Sequence, residues 1–156
     1  MYTAARDVSG RNSDWQRLGV WQVPFAPGGT ISVSGITPPR NSAPAGTTQL
    51  YTFSWTDTKE APAIGITNVL VNNGLDAKSA CYLAYVASID TLVLVDDAGD
   101  AGGPFVGSLI PGAATTIQNS QCSVSGTGGS AVSSRGTLTL TLQITFKSAF
   151  RGNQVI

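Results

Sequence analysis

The chain contains no histidine. That absence removes the usual general base of Ser-His-Asp and Cys-His catalysis and takes imidazole out of any metal site. Charge is scarce too: Asp, Glu, Lys and Arg make up 12% of the residues, nine basic against nine acidic, where a soluble domain usually carries about 25%. With no basic surplus there is no electrostatic footprint for nucleic acid. No apolar run approaches the ~20 residues of a membrane-spanning helix, so membrane insertion is not expected. No basic segment followed by an apolar core opens the chain, so no signal peptide is read; an export signal is expected elsewhere in a parent protein. There is no Asn-x-Ser/Thr acceptor, no Walker loop and no Gly-x-Gly-x-x-Gly after a strand. No window of about eleven residues carries a helical stripe; at most, Ser13 to Arg17 could form one turn. The expectation is a protein without catalytic activity and without a cofactor.

What is present has the period of strands. In "GTLTLTLQITF", Leu138, Leu140, Leu142, Ile144 and Phe146 fall on one face, and Thr137, Thr139, Thr141, Gln143 and Thr145 on the other. One face therefore enters a core and the other meets water. "LYTFSWT" alternates likewise, with Tyr51, Phe53 and Trp55 together. "AIGITNVLVNN" and "TLVLVDD" are dense in β-branched residues and predict interior strands; "ACYLAYVAS" alternates less cleanly. Turn signals separate them at short intervals: "NNGLD", "DDAGDAGGP", "IPGAA", "SGTGGS" and "SSRG". A chain of 156 residues, 42% hydrophobic, is long enough for one domain with a real core. This pattern predicts an all-β antiparallel sandwich, with a closed barrel as the alternative.

Five of the eight prolines fall in "PFAPGGTISVSGITPPRNSAPAGTT". Residues 25–48 therefore predict a Pro/Gly-rich linker with one edge strand, "TISVSGI", ahead of a sandwich body over residues 49–156. Cys81 and Cys122 both sit in strand-like text. The even count in a β-rich, low-charge chain favours a disulfide; two buried free thiols are the alternative. Asp96, Asp97 and Asp100 in "VDDAGDAGGP" are the only candidate metal ligands, for Ca²⁺, but no bidentate Glu closes the loop. A polar turn with side-chain-to-backbone bonds explains them equally. Asp57, Glu60, Asp76 and Asp90 offer carboxylates, and nothing in the sequence pairs two of them for glycoside chemistry. Trp15, Trp21, Trp55, Tyr51, Tyr82 and Tyr85 could stack on a sugar, although Tyr51 and Trp55 share a face with Phe53 and so predict core. Carbohydrate is thus a weaker candidate partner.

The stretches "NVLVNNGLDAKSACYLAYV", "LVLVDDAGDAGG", "SQCSVSGTGGSA" and "LTLTLQITFKSAFRGNQVI" resemble an immunoglobulin-like repeat that occurs in tandem in large secreted or surface-attached bacterial proteins. The resemblance covers nearly the whole chain, including both cysteine contexts, and its motifs are structural. It implies an immunoglobulin-like sandwich and an extracellular or cell-surface spacer or adhesin module. In such repeats a segment like "YTAARDVSGRNSDWQRLGVWQVP" follows the stretch that here reads "FRGNQVI". In this chain it comes first. Residues 2–24 therefore resemble a terminal hairpin in permuted order, expected to complete a sandwich either in its own chain or in a neighbouring subunit. The candidate docking residues are Tyr2, Ala4, Arg6, Leu18, Val20 and Trp21, with Val155 and Ile156 at the end they would continue. Docking onto a neighbour is strand complementation, and run head to tail it builds a homopolymer or filament.

Overall fold

The computed structural model describes residues 2–3, 6, 8–13, 16–17, 29–59, 64–150 and 152. The alternating stretches become antiparallel strands in two main sheets. One sheet holds five strands in the order β3 (Ile31–Thr37), β4 (Thr48–Asp57), β11 (Thr137–Phe146), β10 (Cys122–Ser134) and β9 (Thr116–Gln118). The other holds four in the order β5 (Ile66–Val71), β6 (Cys81–Val86), β7 (Thr91–Val95) and β8 (Phe105–Leu109). A separate two-stranded sheet joins β1 (Tyr2–Thr3) to β2 (Gln16–Arg17). The all-β, two-sheet architecture expected from the alternation is the one observed. The stretch expected as a linker contributes β3, at the edge of the larger sheet.

The core lies between the two main sheets. Register sets Leu138 opposite Trp55, Leu140 opposite Phe53 and Leu142 opposite Tyr51, so the apolar faces of β4 and β11 form one continuous wall. Val69, Val71, Leu83, Leu92 and Leu94 of the second sheet close on it, all buried. The rings of Phe53 and Trp55 stack with centroids 6.2 Å apart. On the outer face hydroxyls pair across strands, Thr48 with Thr145 at 2.8 Å and Ser32 with Thr56 at 2.8 Å. β-Branched Thr thus serves the pleated surface and satisfies its own oxygen. The β10–β11 turn places Arg135 at φ 47° and Gly136 at φ 79°. Two successive left-handed residues match the twist of a tight hairpin, and a Cβ on Gly136 would lie 2.6 Å from the Asp57 carbonyl oxygen.

Two expectations are corrected. "AIGITNVLVNN" predicts an interior strand, yet β5 is an edge of its sheet among the described residues. Its β-branched side chains report a fit to a pleated surface, and pairing partners alone decide edge from interior. Ser13 to Arg17 does not make a helical turn throughout, because Gln16 and Arg17 pair with Thr3 and Tyr2. So short a helix is marginal in water, and cross-strand pairing overrides it.

Candidate association surface

The two flanks of the sandwich differ. On one, β8 lies against β9. A Cβ on Gly107 would approach Ile117 Cγ2 to 2.8 Å, so the glycine is what lets the strands close, and Leu109 and Ile117 are buried behind it. One end of the sandwich is stapled as well. Cys81 at the start of β6 is bonded to Cys122 at the start of β10, their Cα atoms 5.6 Å apart, so the disulfide joins the two sheets. Beside it the buried carboxamide of Asn119 donates to the carbonyls of Ala80 (2.8 Å) and Val95 (3.3 Å) in the opposite sheet. The same side chain accepts from the backbone N–H groups of Gln121 and Cys122. Lys147 Nζ then donates to the Asn119 carbonyl at 2.6 Å.

The other flank is open among the described residues. Between β3 and β5 runs a groove of about 300 Å³, lined by Val33, Ile36, Phe53, Trp55, Val69 and Leu70, with Ser34, Gly35 and Asn68. Val33 at its rim is 77% accessible, beside the exposed polar Ser34 and Asn68, and Ile66 at the start of β5 is 59% accessible. Its floor is the buried aromatic wall of β4. On β5 itself, Thr67 carries the one buried side-chain oxygen without a hydrogen-bond partner among the described residues.

The candidate residues distribute as follows. Tyr2 pairs with Arg17 across the β1–β2 ribbon, and Arg6 bridges Asn12. Among the described residues β1 and β2 pair with each other and with no strand of the main sheets. Ala4, Leu18, Val20, Trp21, Val155 and Ile156 lie outside the described residues, as does Trp15. The carboxylates of the Asp-rich turn are turned to hydrogen-bond donors of the chain. Asp96 Oδ1 accepts from Ala98 N and Gly99 N, Asp100 Oδ1 from Gly102 N, and Asp97 from the Ser120 hydroxyl at 2.8 Å. Among the described residues no three Asp, Glu, Cys or His side chains come together as a metal site. Among the described residues the candidate aromatics form no outward platform: Tyr51, Trp55 and Tyr85 are buried, and the half-buried Tyr82 donates to Asn68.

Tyr85 also donates from its hydroxyl to Asp90 at 2.8 Å. Burial, then the bonded carboxylate, push its phenol up to about 12, since both disfavour a phenolate. Burial raises Tyr51 as well, against a lowering bond from Asn41.

Sequence reasoning missed the groove and the Asn119 clasp. A period-two pattern says which residues face inward, and it carries no information about which two edges are left facing a gap. Asn119 precedes Cys122 in "QNSQC", where a short polar residue before a cysteine reads as turn chemistry. No helix among the described residues is long and apolar enough to cross a membrane. No protein-family model, no curated protein and no solved structure matches this chain.

Proposed function

We propose that this chain is a structural, extracellular module of immunoglobulin-like type that associates with copies of itself head to tail, the N-terminal hairpin of one copy completing the body of the next, to build fibres or stalks. The observation that carries this reading is the asymmetry of the sandwich. One flank is closed by β8 against β9, and among the described residues the other is open over an apolar groove between two strand edges. Unpaired edges beside exposed apolar surface favour strand addition. The hairpin, which pairs only with itself among the described residues, is a ready donor. Zero formal net charge leaves no repulsion between copies to oppose the contact. The disulfide between the sheets suits a non-reducing compartment, as outside the cell.

Light scattering on size-exclusion fractions over a wide concentration range tests this. The reading predicts a mass that rises with concentration in multiples of the 16.0 kDa chain. A single 16.0 kDa species throughout is the signature of a monomer whose hairpin folds back on its own body, and it excludes the polymer.

A further inference from the structure

Among the described residues the two main sheets present four outer strands, β3 and β9 in one and β5 and β8 in the other. Natural sheets protect such edges with bulges, prolines, charges, short strands or covering structure. β8 and β9 cover one another, and β9 has only three residues. β3 carries a register shift between Val33 and Gly35 and runs into Pro38 and Pro39. Among the described residues β5 has none of these devices. Its sequence, Ile-Thr-Asn-Val-Leu-Val, holds no charge, proline or glycine, and it stays in register with β6 from Ile66 opposite Val86 to Val71 opposite Cys81.

Hydrogen-bond phase shows what that edge offers. Ala87 N donates to the Gly65 carbonyl at 2.9 Å, in line with the β5–β6 register. Antiparallel pairs alternate between bonded and non-bonded, so Thr67, Val69 and Val71 turn their backbone groups to β6. Ile66, Asn68 and Leu70 turn theirs to the open flank. Asn68 and Leu70 line the groove themselves. A strand whose composition reads as interior thus sits at an edge, and among the described residues no strand pairs with its outward backbone donors and acceptors, beside an apolar trough.

We infer that β5 is the acceptor strand. A strand of a second copy's N-terminal hairpin adds antiparallel or parallel to Ile66–Val71, bonds the outward groups of Ile66, Asn68 and Leu70, and lays alternate apolar side chains into the groove between β3 and β5. This rests on the head-to-tail reading above and fixes the site it uses. The hairpin is the fitting occupant for two reasons: among the described residues β1 and β2 pair with each other and with no strand of the main sheets, and the sequence directly after Arg17 supplies the apolar residues Leu18, Val20 and Trp21, ahead of Pro24 and Pro27.

The test compares three full-length variants with the parent by light scattering, with melting curves to verify folding. Asn68→Pro removes one outward N–H and no β5–β6 bond; Asn68→Ala removes only the side chain; Ile31→Pro makes the corresponding change on β3. Association is expected to be lost in Asn68→Pro and kept in the other two. Should Asn68→Pro fail to fold, Ile66→Lys, at a residue 59% exposed, puts a charge on the same edge and is expected to give the monomer. A parent that associates while the folded β5 variant associates equally overturns the acceptor assignment and leaves head-to-tail assembly standing. Loss of association in Ile31→Pro alone moves the acceptor to β3 and overturns it too. A parent that stays at 16.0 kDa overturns both.

Discussion

Asn119 Nδ2 donates to the carbonyl oxygen of Ala80 at 2.8 Å, from one sheet to the other, one residue before the cysteine that crosses the same gap. The bond is buried, and its donor group also reaches Val95 O while its acceptor serves two backbone N–H groups. Covalent and polar clasps therefore lie side by side at one end of the sandwich.

Replacing Asn119 with Leu removes that clasp and strands buried backbone groups on both sheets. Unpaired buried groups cost 1–3 kcal/mol each, offset in part by relaxation, so a total loss of about 3 kcal/mol is expected. For a domain of this size that is a fall of roughly 6 to 12 °C in melting temperature. Calorimetry reads it directly, and a change under about 1 kcal/mol, the scale of a surface substitution, would show that the clasp carries little.

The disulfide closes a chain separation of 41 residues. In the chain-entropy model a loop of that length contributes about 4 kcal/mol by restricting the unfolded state. The double variant Cys81→Ala/Cys122→Ala is expected to lose stability on that scale in urea unfolding. Both cysteines are fully buried, so reductant alone should act slowly on the folded chain.

Thr67 gives a change in the opposite sense. Among the described residues its hydroxyl is buried without a partner, and valine has a similar shape without that oxygen. Thr67→Val is expected to stabilise the fold by about 1 kcal/mol, since a desolvated group with no bond is removed. A destabilised Thr67→Val would mean that the hydroxyl has a partner in solution.

Tyr85 makes stability depend on alkaline pH. Its phenol titrates near 10 when unfolded and is pushed up to about 12 in the fold. A raised folded value means that the unfolded chain gives up the proton first. The contribution is full below pH 10 and is lost as pH rises to about 12; Tyr51, shifted in the same direction, adds to the decline. Tyr85→Phe removes this ionisation, so its urea midpoint should fall less steeply across that window than the parent's.

The wall formed by Tyr51, Phe53 and Trp55 against Leu138, Leu140, Leu142 and Ile144 was legible because strict alternation fixes which side chains share a face. The cysteine pair was legible as one of two alternatives, since count and composition bear on redox state but spacing does not bear on distance. The edge position of β5 was not legible. Ile66–Val71 has the composition of a strand paired on both sides, and a sequence does not state which neighbour is supplied. The groove followed the same limit: Val33 and Leu70 are far apart in sequence and meet only because β3 and β5 border one gap. The Asp96–Asp100 turn lay between two readings until its carboxylates were seen to accept from neighbouring backbone N–H groups.

The central claim is that each copy has one donor and one acceptor, used on different neighbours. It is tested most directly by mixing two full-length variants, each defective in one half. One carries Asn68→Pro and keeps its hairpin; the other carries Ala4→Pro with Val20→Pro in the hairpin and keeps its β5 edge. Each alone should remain at 16.0 kDa. Mixed in equal amounts they should form a species of twice that mass and stop there, because a single sound donor meets a single sound acceptor. A mixture that stays at 16.0 kDa, or one that polymerises like the parent, would contradict the account.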